Sequence, residues 1–170
     1  MPAPAPRPVT DPRRPCVLGI DPGSSRTGVG LVAPDGTRYR LVHQEVIRAD
    51  GELSDRLVRI RARLAELLAE FGPCSAAMED VYHGHSVPSL VKLAQARGVA
   101  LCTVTEAGVP VTSYPPAVVK RAVSGSGRAE KPQVARMVAA ILGLAAPPAA
   151  DAADALAVAL CHAMHPGWKP

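Results

Sequence analysis

Aromatic side chains are nearly absent: one Phe, one Trp and three Tyr in 170 residues. A core built around large rings is thereby excluded. With 48% apolar residues, mostly Ala, Val and Leu, the interior must be filled by aliphatic side chains. Cysteine is sparse too, at positions 16, 74, 102 and 161, and no pair has CxxC spacing. A zinc site or a disulfide framework is not expected. The thiols read as small buried hydrophobes in a reducing cytoplasm. No apolar run approaches the length of a membrane span. The N-terminal MPAPAPRPVTDPRRP has basic residues but no apolar stretch behind them, so neither a signal peptide nor an anchor is expected. No charge of one sign dominates. The net charge is +4, with a pI near 9.1, which permits an anionic partner such as nucleic acid without demanding one. Arg outnumbers Lys, which suits phosphate contacts. There is no internal repeat.

What is present fits one compact domain over 16–166, behind a disordered basic arm at 1–15 and ahead of a short tail at 167–170. CVLGID (16–21) and GVGLVA (28–33) read as strands, and Asp35-Gly36 as a hairpin turn into a longer strand over 37–49. From Leu53 the apolar period changes to alternating steps of three and four, a helix that Gly72-Pro73 ends. Arg56, Arg59 and Arg63 share one flank of it and read as a solvated face, with phosphate binding as the minority reading. CSAAMED (74–80) is a short strand. A helix follows from Pro88 to Ala107, with Gly98 inside it. Interior Gly costs about 1 kcal/mol against Ala, so another backbone should approach there, either the domain's own sheet or a twin helix across a dimer axis. VPVTSY (109–114) is a fifth strand, and three helices close the chain. The order βββαβαβααα predicts an α/β fold, a mixed sheet with helices on both faces.

Four acids stand at the ends of elements. Asp21 leaves the first strand in a Pro-Gly turn, and Glu79 ends the fourth. Asp151 and Asp154 open the last helix, spaced i, i+3, so that both lie on one face among Ala, Leu and Val. Singly, each has a structural explanation: a turn residue, a strand-end charge, a helix N-cap, a first-turn acid on the macrodipole. Together they point elsewhere. Converging carboxylates repel one another and resist ionisation, and divalent cations remove that penalty. Oxygen-only ligands suit Mg²⁺ or Mn²⁺. Two such ions about 4 Å apart activate a water and stabilise the leaving oxygen of a phosphodiester.

LGIDPGSSRTGVG, MEDVY, KLAQARGVA, SGSGRAEKPQV and DAADALAVAL resemble, in that order, the motifs of the RuvC family of bacterial Holliday junction resolvases. The resemblance spans Val17 to His162. It implies a ribonuclease H-like fold with a five-stranded mixed sheet. It implies a homodimer, joined through the QARG helix, that nicks two strands of like polarity in a four-way DNA junction using two Mg²⁺ or Mn²⁺ ions per site. A branch-migration complex of the RuvA and RuvB type is the implied partner. The family's metal-binding and catalytic acids fall on Asp21, Glu79, Asp151 and Asp154. Its lysines fall on Lys120, a DNA contact, and Lys131, beside the scissile phosphate. Its base-stacking aromatic falls on Tyr82.

The chain departs from the pattern in its basic arm, in Tyr at 82 where Phe is commoner, and in ending at Trp168-Lys-Pro without a long basic tail. His83 and His85 stand where the family is more basic. They are either pH-dependent DNA contacts or simply exposed loop histidines. His162 and His165 lie more than two turns beyond the helix acids and are left out of the ion site. Other readings stay open here: a related nuclease cutting another substrate such as RNA, a catalytically silent junction-binding dimer, and an actin-like phosphate-binding ATPase suggested by GIDPGSSRTG. The last needs a second lobe and a second Asp-Gly phosphate loop.

Overall fold

The computed structural model describes residues 15–80 and 86–168. Residues 1–14 of the arm and Tyr82, His83 and His85 fall outside them. Ten elements follow in the predicted order: β1 Val17–Asp21, β2 Arg26–Asp35, β3 Arg38–Arg48, α1 Leu53–Phe71, β4 Ser75–Glu79, α2 Val87–Glu106, β5 Val111–Tyr114, α3 Pro116–Ser124, α4 Lys131–Leu142 and α5 Ala150–Ala163. The strands form one five-stranded sheet in the order β3-β2-β1-β4-β5. The meander β1-β2-β3 is antiparallel, with Asp35-Gly36 in its second turn, and β4 and β5 add in parallel beyond β1. Gly72 ends α1 in the left-handed conformation (φ 53°), its N–H bonded to the Leu68 carbonyl.

Strand alternation divides the core into two layers. Leu18, Ile20, Ala76 and Met78 point to one face, under α1 and α2. Val17 and Ala77 point to the other, under α3, α4 and α5. By the same alternation Asp21 and Glu79 project on this second face. The β1–β4 register runs from Val17↔Ser75 to Ile20↔Met78, so the next rung sets Asp21 beside Glu79. Both sit at the carboxyl ends of adjacent parallel strands, where open α/β sheets place their ligand crevices.

Helix α5 lies almost on the sheet backbone. A Cβ on Gly19 would run into the Ala155 carbonyl, and one on Gly28 into that of Asp151. The run of alanines on α5 and these glycines on β1 and β2 permit the close approach, which brings the acidic end of α5 down to Asp21.

Five expectations need correction. Among the described residues, nothing lies within 4 Å of where a Cβ on Gly98 would be, so packing on the domain's own sheet does not explain it. Asp151 is not the N-cap of α5: Ala149 holds that position, and Asp151 lies in the first turn. Cys16 and Cys161 are buried, but Cys74 and Cys102 are exposed, one at the turn into β4 and one on the outer side of α2. Arg56 and Arg63 are engaged rather than merely solvated. Arg56 donates to Ser25 Oγ at 2.6 Å, and Arg63 forks onto Glu45 at 2.8 and 2.9 Å. Trp168, assigned to the tail, packs on the α5 layer and donates through Nε1 to Ser75 Oγ at 2.9 Å.

Candidate active site

The turn after β1 is held from within. Thr27, fully buried, donates to the Gly23 carbonyl at 2.8 Å and accepts from the Gly23 N–H at 3.4 Å. From α1, Arg56 grips Ser25, whose carbonyl also takes the Ala49 N–H at 3.0 Å. Asp21 therefore leaves β1 into a fixed loop, not a free one. Glu79 is set by the end of β4, whose last rung pairs it with Tyr114.

These two acids open onto a cleft of about 870 Å³ lined also by Arg26, Arg97, Lys131 and Asp151. A smaller adjoining chamber of about 50 Å³ is lined by Glu79, Lys120, Lys131 and Asp154. Glu79 and Lys131 face both. All four sequence-predicted acids and both lysines thus meet at one end of the sheet.

The electrostatics are those of crowded carboxylates. Burial pushes Asp21 from an ordinary 3.8 up to about 7, with Asp154, Glu79 and Asp151 adding repulsion and Lys131 opposing them. Glu79 is raised too, first by burial and then by Asp154, against Lys131 and Lys120. Lys131 is raised in turn by its hydrogen bond to Asp154. That bond is short, Nζ to Oδ2 at 2.6 Å, and Arg26 Nε stands 3.2 Å from Asp151 Oδ2. Among the described residues no three Asp, Glu, His or Cys side chains are drawn into a finished cation cage. Arg26 and Lys131 each hold one helix acid in an ion pair. The donor set suits a hard divalent cation: every acid offers oxygen, and such a charge would favour the ionised form that burial and repulsion suppress.

His162 is placed away from the acids. It is buried and shares a 2.8 Å hydrogen bond between Nδ1 and the Tyr114 hydroxyl. Three further residues at the cleft carry no signal of their place in the sequence alone: Arg26, Arg97 and Asp80. Arg26 lies inside the DPGSSRTG motif and Arg97 inside QARG, so both were in view, but a lone arginine carries no sign of which acid it will meet.

The family model for the crossover junction endodeoxyribonuclease RuvC matches residues 17–162. The chain belongs to the RuvC family. RuvC of Halorhodospira halophila is 50% identical over 151 residues, covering 88% of this chain and 90% of its own. RuvC of Sorangium cellulosum is 47% identical over 154 residues, covering 89% and 86%. The structure of Thermus thermophilus RuvC superposes with a TM-score of 0.80 at 42% identity, covering 87% of this chain and 93% of that one. The same protein in complex with a Holliday junction substrate gives 0.82 at 43% identity, covering 87% and 92%. The yeast mitochondrial Holliday junction resolvase Ydc2, at 14% identity and a TM-score of 0.59, shares the fold. The function is that of the RuvC family, a crossover junction endodeoxyribonuclease, and the actin-like reading falls away.

Proposed function

We propose that the protein resolves four-way DNA junctions by paired nicks in strands of like polarity, acting as a homodimer with two Mg²⁺ or Mn²⁺ ions in each site. The observation that carries this reading is that Asp21 and Glu79, at the ends of adjacent parallel strands, share one cleft with the acidic start of α5. Asp21, Glu79, Asp151 and Asp154 would hold the cations. When bound, these ions supply an activated water and charge neutralisation at the leaving oxygen.

The chain's own cations do the rest. Lys131, with a largely exposed side chain, leaves Asp154 to meet the scissile phosphate. Lys120, on the wall of the smaller chamber, holds the neighbouring backbone. Tyr82 stacks on an unpaired base, and His83 and His85, its neighbours in sequence, add contacts to the DNA. The dimer forms through α2, whose Val87, Val91 and Leu101 are exposed in the single chain and whose Gly98 is open. No helix among the described residues is long and apolar enough to cross a membrane. A DNA substrate puts the work in the cytoplasm, with a branch-migration complex of the RuvA and RuvB type as partner.

The test compares a synthetic four-way junction, a linear duplex and an RNA–DNA hybrid at equal salt. Symmetric nicking of the junction alone, abolished by chelator while binding persists, is the expected result. Equal cutting of duplex or hybrid overturns the substrate, and cutting in chelator overturns the metal.

A further inference from the structure

Helix α2 turns two neighbouring residues of its QARG stretch in different directions. Gly98 is open on the outside, whereas Arg97 reaches to the sheet and lines the cleft. Its guanidinium engages three acceptors. Nη2 donates to Ser113 Oγ at 2.7 Å and to Asp80 Oδ1 at 3.0 Å, and Nε donates to the Glu79 carbonyl at 3.4 Å. The side chain is only 22% exposed. These acceptors are the carboxyl end of β4 and its neighbour on β5. Just beyond β4, the Asp80 N–H donates to the Tyr114 carbonyl at 2.9 Å. The guanidinium adds side-chain bonds to this strand end from α2.

We propose that Arg97 is a positioning residue: by clamping Glu79, Asp80 and Ser113 together it sets the Glu79 carboxylate for cation binding and ties that carboxylate to the seating of α2. This rests on the reading that Glu79 holds a cation. The planar fork is what the position requires. Its donor directions are fixed, so one group can bridge two strand ends, while a lysine ammonium offers a point charge with no such geometry. Residues that orient a metal ligand from behind set its affinity almost as the ligand itself does. The helix that carries Arg97 is also the proposed dimer helix, so a shift of α2 on pairing would reach Glu79 through this one side chain.

The experiment uses the full chain as Arg97→Lys, Arg97→Gln, Ser113→Ala and, for reference, Glu79→Gln. Mn²⁺ affinity is measured by calorimetry without DNA, and junction cleavage is followed against Mg²⁺ concentration. Arg97→Lys and Arg97→Gln should weaken Mn²⁺ binding about tenfold. The Mg²⁺ half-saturation of cleavage should rise by the same factor, with dimerisation and metal-free junction binding unchanged. Ser113→Ala, at an exposed strand position that does not endanger folding, should shift both in the same direction by a smaller factor. Weakened binding in Glu79→Gln with wild-type binding in Arg97→Lys and Ser113→Ala overturns the clamp alone. Wild-type binding in Glu79→Gln overturns the cation reading of Glu79, and the clamp with it.

Discussion

The ammonium of Lys131, first residue of α4, lies 2.6 Å from the carboxylate of Asp154 on α5. A base and an acid so placed neutralise each other until something displaces one of them. A cation taking Asp154 and a phosphate taking Lys131 would do so together. Lys131→Met should therefore separate binding from chemistry. It frees Asp154, so Mn²⁺ affinity by calorimetry should hold or improve. It removes a charge from beside the phosphate, so the cleavage rate should fall about 10²- to 10³-fold. Weaker Mn²⁺ binding in this variant would show that the lysine organises the acids instead of competing for them.

Asp21 makes a pH prediction with a definite sign. Its carboxyl ionises near 3.8 in an open chain but at about 7 in the folded protein, because of burial and then Asp154, Glu79 and Asp151. Between those values the native state keeps a proton that the unfolded state has lost. Metal-free stability should therefore fall as pH rises through that window, with a cost on the order of 4 kcal/mol once Asp21 is ionised. Asp21→Asn should raise the Tm of the metal-free protein at pH 8, change it little near pH 4, and abolish cleavage. Thermal melts in chelator at the two pH values check this.

If Asp21 holds a cation as proposed, the same proton competes with it. The Mg²⁺ concentration for half-maximal cleavage should rise as pH drops below 7, where Asp21 takes up its proton. Cleavage measured against Mg²⁺ at pH 6 and pH 8 separates this from a pH effect on DNA binding, which saturating Mg²⁺ would not relieve.

The geometry that makes these predictions was only partly legible. Asp21 and Glu79 could be read as strand-end acids because apolar runs deliver them, and Asp151 and Asp154 as one helical face because i, i+3 has only that meaning. That β4 lies beside β1 in register is a tertiary fact, and it turns two strand ends into one site. The glycines hid their role for a similar reason. Spacing marks Gly19 and Gly28 as small, but only the placement of α5 shows a helix carbonyl filling the space. Arg26 and Arg97 were the least visible, since a charged side chain looks solvated until its partner is known. Arg56 and Arg63 misled in the same way.

Close approach of α5 can be tested directly. Gly19→Ala places a methyl against the Ala155 carbonyl, which is backbone and cannot rotate away. The helix must lift, carrying Asp151 and Asp154 with it. A loss of about 1–3 kcal/mol is expected from overpacking. Cleavage should drop further than the stability loss explains, because the acids part from Asp21. Chemical denaturation and single-turnover cleavage give the two numbers. A variant that melts lower yet cleaves normally would show that the acids do not depend on this contact.

Gly98 poses the opposite case. Nothing among the described residues meets a Cβ there, so in an isolated subunit Gly98→Ala should stabilise α2 by about 0.5–1 kcal/mol through helix propensity alone. If two α2 helices cross at this point, the same methyl separates their backbones, and the larger Gly98→Leu separates them more. Sedimentation across a concentration series should then show the dimer weakening in the order Gly, Ala, Leu while the single-chain fold stays intact. Paired nicking of one junction should decay in the same order, leaving single nicks, because two sites are needed for symmetric cuts. A Gly98→Leu protein that still sediments as a tight dimer would move the two-fold axis off this face of α2, and the exposed Val87, Val91 and Leu101 would need another partner.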